Sequence, residues 1–187
     1  MAELKDSGER TEYTTGAVRD CKEGKGRCDL MPLDVVGTFL DDFVITHISE
    51  FKETGDVKYL YQALDAFVIE IKDHRKENLI REVAIHFEDG ARKYGPNNWQ
   101  KGIPLHSFID SAIRHYLKYW SGWTDEPHKR AFVWNILCAI WTCKHRPDLD
   151  DFTENEEERK RRLKIMLNKL YGKESVKHYA DIANKGE

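Results

Sequence analysis

Between a few glycine and proline breaks, the apolar residues of this chain recur every three or four positions over nearly its whole length. That period belongs to amphipathic helices and leaves little room for sheet. Val36, Phe39, Leu40, Phe43, His47, Ile48 and Phe51 make one stripe over residues 34–53. The tetrapeptide ETGD ends it, with Gly55 suited to a helix stop and Asp56 to a new N-cap. Leu60, Ala63, Leu64, Phe67 and Ile71 mark a second helix at about 57–75. Leu79, Val83, Phe87 and Ala91 mark a third at about 77–93, which stops at Gly95-Pro96. A fourth, at about 105–120, carries Phe108, Ile109, Ala112, Ile113, Tyr116, Leu117 and Trp120. After SGW, the run TDEPHKRAFVWNILCAIWTCK predicts a fifth, capped by Thr124 or Asp125 with Pro127 in its first turn. Beyond HRPDLDD, residues 153–171 read as a charged helix with Leu163, Met166, Leu167 and Leu170 on one face, followed by a short helix at about 174–183. No strand pair and no NG or DG hairpin stands out. The fold predicted is all-α, an antiparallel helical bundle with short loops. Residues 1–20 are expected to be a loose tail, 21–146 one domain, and 147–187 charged C-terminal helices.

The chain has 187 residues, enough for one domain with a real core. Its net charge is −3, with both signs spread along it, which argues against a nucleic-acid coat. No apolar run approaches the roughly 18 to 20 residues of a membrane span, and the first residues lack an apolar signal core. A cytoplasmic protein without membrane partners is therefore expected. Cysteines 21, 28, 138 and 143 lack the spacing of a zinc knuckle. Cys138 and Cys143 read as reduced core residues, and no metal is assigned to sulfur.

The polar residues fall on particular helix faces. Glu82, His86, Asp89 and Lys93 share one face of the third helix, opposite its apolar stripe, while Glu88 stands about 120° around from Glu82. Taken alone, this stripe has a solvated edge with an Asp89–Lys93 pair as its default explanation, ahead of a ligand site. The fourth helix carries Asp110, Arg114 and His115; a plain i,i+4 ion pair covers the first two and leaves the histidine unexplained. On the fifth, His128, Ala131, Asn135 and Ala139 form a narrow face among large side chains. Asn135 there is either a core amide satisfied by a neighbouring helix or the floor of a polar pocket. Three neighbouring helices with such sets suggest a pocket in the bundle core. Hard carboxylate oxygens favour Mg²⁺ or Mn²⁺ over zinc or copper. Lys22, Lys25 and Arg27 sit in a glycine-flexible basic turn that can cradle an anion, and Lys93 and Lys101 flank the break at 95–96. The turn is not a phosphate-binding loop of the Walker type, whose spacing and terminal Lys-Ser/Thr are missing.

Four segments, GKGRCDLMPLDVV, FEDGARKYGPNNWQKGIP, FIDSAIRHYLKYWSG and DEPHKRAFVWNILCAIWT, resemble in that order the phage-type dATP/dGTP diphosphohydrolase family. That family is related to the all-α, MazG-like NTP pyrophosphatases. The resemblance covers about 24–36 and 79–143, and its most specific part is the Gly-Ala-x-Lys-Tyr-Gly-x-x-Asn-Trp segment, residues 90–99. The family pattern falls on Arg27, Asp29, Leu30 and Pro32, then on Glu88, Gly90, Ala91, Lys93, Tyr94, Gly95, Asn98 and Trp99. It continues on Asp110, Arg114 and His115, and on Asp125, His128 and Asn135. Two departures stand out: Ala131 where relatives carry a second histidine, and residues 37–78, which look like an inserted helical hairpin.

The resemblance implies Mg²⁺-dependent hydrolysis of a purine deoxynucleoside triphosphate to monophosphate and pyrophosphate, with Mn²⁺ as a possible substitute. Metal ligands would be Glu88, Asp110 and Asp125, with Glu82 and Asp89 in reserve. Phosphates would be held by Lys25, Arg27, Lys93 and Arg114, with Tyr94 and Lys101 beside them. Trp99 would stack on the base and Asn98 or Asn135 would read its edge, although a Trp99 that plugs the loop onto the bundle fits equally well. Glu88, Asp110, His115 and His128 are the expected catalytic residues, the histidines for phosphate contact or proton handling. A homo-oligomer and, for a phage protein, the host cytoplasm are implied by resemblance only. The rivals are a nucleotide-sequestering protein without catalysis and a helical interaction protein whose charged tail at 153–171 docks a partner.

Overall fold

The computed structural model of the protein describes residues 9–21, 24–71 and 76–152. Among them are six helices: α1 (Leu33–Leu40), α2 (Phe43–Thr54), α3 (Lys58–Glu70), α4 (Lys76–Tyr94), α5 (Leu105–Trp120) and α6 (His128–His145). The fold is all-α, as the periodicity predicted, with one two-stranded ribbon added. The two helices predicted beyond residue 152 lie outside the described residues. No helix among the described residues is long and apolar enough to cross a membrane.

α5 and α6 lie against each other at the centre of the bundle. α2 and α3 pair as a hairpin on one side, and α4 packs on α6 from the other. Phe67 of α3, Phe108, Ile109, Ile113 and Tyr116 of α5, and Phe132 and Ile136 of α6 are fully buried. Phe67 and Phe132 meet ring to ring with centroids 4.6 Å apart, edge on, which is the favoured aromatic geometry.

The sequence reading differs from the structure in three places. The single helix expected over 34–53 is two helices. Asp41 takes a left-handed conformation (φ 52°), and the Asp42 carboxylate accepts from the Ile45 N–H at 2.9 Å, so it caps a fresh helix rather than continuing the old one. Phe39 and Phe43, assigned to the buried stripe, are consequently 85% and 67% exposed. At the other end, neither Thr124 nor Asp125 caps α6. The helix starts at His128 after Pro127, without a side-chain cap.

The third difference concerns the expected loose tail and the missing strand pair. Strands β1 (Arg10–Glu12) and β2 (Val18–Asp20) pair antiparallel, Thr11 opposite Arg19. The hairpin is tied to the segment after α4. Asn98 accepts from the Val18 N–H at 2.9 Å and donates to the Val18 carbonyl at 2.7 Å, so its side chain imitates a further strand. The Thr15 hydroxyl donates to the Gly102 carbonyl at 2.6 Å. Gly102 has φ +129°, and a Cβ placed there would lie 2.7 Å from the Thr15 side chain. Gly102→Ala is therefore expected to destabilise the protein by about 1–3 kcal/mol, since both backbone strain and contact oppose it. A wild-type melting temperature for that variant would mean the hairpin is not docked here.

Candidate active site

A cavity of about 670 Å³ opens between β2, the C-terminal half of α4, the loop after it, and the facing sides of α5 and α6. That volume lies in the range of small-ligand sites. The helices bring their polar faces to it because their apolar stripes are spent on the core between α3, α5 and α6.

Arg19, on β2, reaches across the cavity. Its Nη2 donates to the Asn135 Oδ1 at 2.6 Å, and its guanidinium stands 5.1 Å above the Phe108 ring. Its Nη1 is buried without a partner, and no carboxylate among the described residues pairs with it. Burial, with Arg114 nearby, pulls its pKa below the ordinary arginine value, the mark of a cation held where charge is unwelcome. Arg114, one wall away on α5, is paired with Asp110, which also accepts from the Cys28 N–H at 2.7 Å. The Arg114 Nε is buried and unpartnered. Two further unpaired buried nitrogens, His86 Nδ1 and Trp134 Nε1, belong to cavity-lining side chains.

His115, His128 and Asp125 form a chain. The two histidine Nδ1 atoms are 2.9 Å apart, and the His128 Nε2 is 2.8 Å from the Asp125 carboxylate. Partial burial pushes the Asp125 pKa up, but hydrogen bonds from Lys118 and His128 outweigh it and hold the group down at about 2. Burial, then the neighbours His128, His86, Arg114 and Arg19, drive His115 well below the ordinary histidine value. Glu126 Oε2 lies 3.8 Å from the His115 Nδ1. Among the described residues, His115, Glu126 and His128 are the group whose donor atoms all fall within 4.8 Å of one another.

His86 shows what this burial does to stability. Burial and the positive charge of Arg130 and Arg19 lower its pKa from 6.5 to about 3. Between those values the unfolded chain holds a proton that the folded chain refuses. Stability is thus fully present above pH 6.5 and lost as the pH falls toward 3. His86→Gln is expected to flatten the pH dependence of the urea midpoint in that window, by at most about 1.4 kcal/mol per pH unit. An unchanged profile would mean that His86 is hydrated in the native state.

Of the residues singled out from sequence, Lys25, Tyr94, Asn98, Trp99, Arg114, His115, Asp125 and Asn135 line the cavity, with His128 buried behind His115. Of the acids expected as metal ligands, Glu88, Asp110 and Asp125 with Glu82 and Asp89 in reserve, no three come together among the described residues. Glu82 pairs with Lys129 at 3.1 Å, and Asp89 with Arg130 at 2.8 Å. Glu88 is an exposed partner of Arg92, Asp110 is the buried partner of Arg114, and Asp125 is held by Lys118 at 3.0 Å. Arg27 is bound to Asp29 rather than facing the cavity, Lys93 bonds Asp20 at 2.8 Å on its rim, and Lys101 is exposed outside it. Both candidate base-reading amides are engaged: Asn98 by Val18, and Asn135 by Arg19 and, through its Nδ2, by the Ala131 carbonyl at 2.8 Å. Trp99 packs between Phe87 and Trp141, centroids 5.4 and 4.9 Å away, while still lining the cavity.

Arg19, Glu126, Trp123 and Trp134 were missed. Arg19 falls in the segment expected to be a loose tail, where the alternation of TEYTTGAVRD around Gly16 is the available strand signal. Trp123, 57% exposed beneath the Lys118 ammonium at 4.7 Å, falls in the SGW break, which by itself signals only a helix stop.

A family model described as dATP/dGTP diphosphohydrolase, N-terminal, matches residues 51–152, more than half of the chain. No curated protein and no solved structure matches it. The matched span holds α3 to α6, and the hairpin that carries Arg19 lies before it.

Proposed function

The chain belongs to the dATP/dGTP diphosphohydrolase N-terminal family, and from that membership we propose that it hydrolyses a purine deoxynucleoside triphosphate to the monophosphate and pyrophosphate. The observation that carries this reading is Arg19, a buried guanidinium on the cavity wall with an unpaired N–H and no carboxylate partner among the described residues. A cation so placed is stabilised by an anion entering the cavity, and charge-assisted hydrogen bonds to phosphate are about twice as strong as neutral ones. Arg114, Lys118 and Lys25 line the same space and extend the positive field.

The remaining lining suits the rest of the substrate. Trp99, Trp123 and Trp134 make an aromatic wall against which a base can stack, a contact worth about 1–3 kcal/mol. Of these, Trp123 has the most exposed face. His115 and His128, linked in a chain to Asp125, stand beside Arg114, where phosphate oxygens would lie. A divalent ion is expected with such a substrate, Mg²⁺ or Mn²⁺. Glu88, Asp110 and Asp125, like the reserves Glu82 and Asp89, each already hold a basic partner, whereas Glu126 with the histidine pair offers a donor set that fits a cation. When bound, the ion would neutralise phosphate charge and lower the pKa of a coordinated water.

The test is a panel of the eight common nucleoside triphosphates with Mg²⁺ or Mn²⁺, reading monophosphate and pyrophosphate separately. Equimolar pyrophosphate and dAMP or dGMP, with little from pyrimidines, is the expected result. Tight purine triphosphate binding without any product would mark a sequestering protein instead. Neither binding nor product would end the nucleotide reading.

A further inference from the structure

Two features of the histidine pair suit a bound cation as well as a shared hydrogen. The His128 Nε2 faces the Asp125 carboxylate at 2.8 Å, so that nitrogen carries the hydrogen and its other nitrogen, Nδ1, carries a lone pair in the neutral ring. That Nδ1 sits 2.9 Å from the Nδ1 of His115. Two ring nitrogens this close share one positive centre, a proton or a metal ion. Beside them stands Glu126, 3.8 Å from the His115 Nδ1 and paired with no lysine or arginine among the described residues. The neighbouring cavity acids differ: Asp20 holds Lys93 and Asp125 holds Lys118.

We propose that His115, His128 and Glu126 form a single divalent-cation site whose two imidazole donors favour Mn²⁺, Co²⁺ or Zn²⁺ over Mg²⁺, with Asp125 orienting His128. Two nitrogens bound at right angles, each about 2.1 Å from one ion, stand about 3 Å apart, which matches the separation of the pair. A ligating histidine characteristically donates its second ring N–H to a carboxylate that fixes its tautomer and direction, and Asp125 occupies that place. Imidazole suits the borderline transition metals, while Mg²⁺ prefers oxygen ligands and retained water. Asp125 thereby becomes a positioning residue, and Glu126 supplies the carboxylate. Arg19, Arg114 and Lys118 oppose a bare cation here, so binding strengthens when a polyphosphate fills the cavity. The placement of that polyphosphate rests on the function proposed above; metal binding by the free protein does not.

Metal-stripped full-length protein is titrated with Mn²⁺, Zn²⁺ and Mg²⁺ without nucleotide, by calorimetry and by loss of the free Mn²⁺ resonance signal. One Mn²⁺ per chain, bound at least roughly tenfold tighter than Mg²⁺, is expected. His115→Ala and Glu126→Gln should each weaken Mn²⁺ by tenfold or more, and Asp125→Asn by about tenfold. Glu126→Gln, on a half-exposed loop, keeps the test open if the histidine variant fails to fold. The site is overturned if no ion binds stoichiometrically, if Mg²⁺ binds as tightly as Mn²⁺, or if both His115→Ala and Glu126→Gln retain wild-type affinity. Nucleotide binding measured in parallel under chelator separates the two proposals. Protein that takes up dGTP but no Mn²⁺ defeats this inference alone, and protein that takes up Mn²⁺ but no nucleotide defeats the functional one alone.

Discussion

Asp110→Ala is expected to lower the unfolding free energy by about 3–5 kcal/mol, enough to threaten a domain whose total is on the order of 5–15 kcal/mol. The carboxylate is wholly inaccessible to solvent, and it is the counterion of Arg114. It also accepts the Cys28 N–H at 2.7 Å, which ties the turn before α1 to α5. Removing it strands a guanidinium in the interior and leaves a backbone donor unpaired, and each of these alone is unfavourable. Urea unfolding with a shared m-value is the measurement. A metal ligand at this position would instead lose metal affinity and keep its midpoint, so a wild-type midpoint would overturn the assignment of Asp110 as an internal counterion.

Arg19→Ala is expected to do the opposite: weaken triphosphate binding by about 10- to 150-fold while leaving stability within about 1 kcal/mol of wild type. The first figure follows from about 1.5–3 kcal/mol for a hydrogen bond to a charged group. The second follows because the side chain is a desolvated cation with no acid beside it, so its removal relieves burial of charge even as Asn135 loses a donor. Arg19→Lys should recover part of the affinity, keeping the charge but not the forked geometry. Unchanged affinity for dATP and dGTP, read by equilibrium titration, would take Arg19 out of the site and with it the main support for an anionic ligand.

The helices whose termini are set by their own residues were legible. α4 and α5 fall where periodicity and the Gly95-Pro96 and SGW breaks put them, because apolar spacing and backbone restrictions act within a few residues of chain. The split at Asp41-Asp42 was not legible, since the stripe from Val36 to Phe51 continues in period across a left-handed residue that only the packing of α1 on α2 makes worthwhile. The sequence singles out Asn98 through the family resemblance and Asn135 as an amide among apolar helix residues. Their partners, the Val18 backbone and the Arg19 guanidinium, are about 80 and 116 positions away, and no local pattern announces a partner at that range.

The amino-acid sequence by itself determined the all-α class, the spans of α4 and α5 and the family, because each depends on spacing along the chain and on the identity of residues. Which charges neutralise one another between helices was decided by the tertiary structure, whereas the pairs Asp110–Arg114 and Glu88–Arg92 follow from four-residue spacing within one helix. Lys129 and Arg130 of α6 claim Glu82 and Asp89 of α4, while Glu126 comes to rest beside two imidazoles with no lysine or arginine partner among the described residues. The reason is range: ionic interactions inside a folded chain act over a few ångströms of space, whatever the separation in sequence, and helix packing sets those distances.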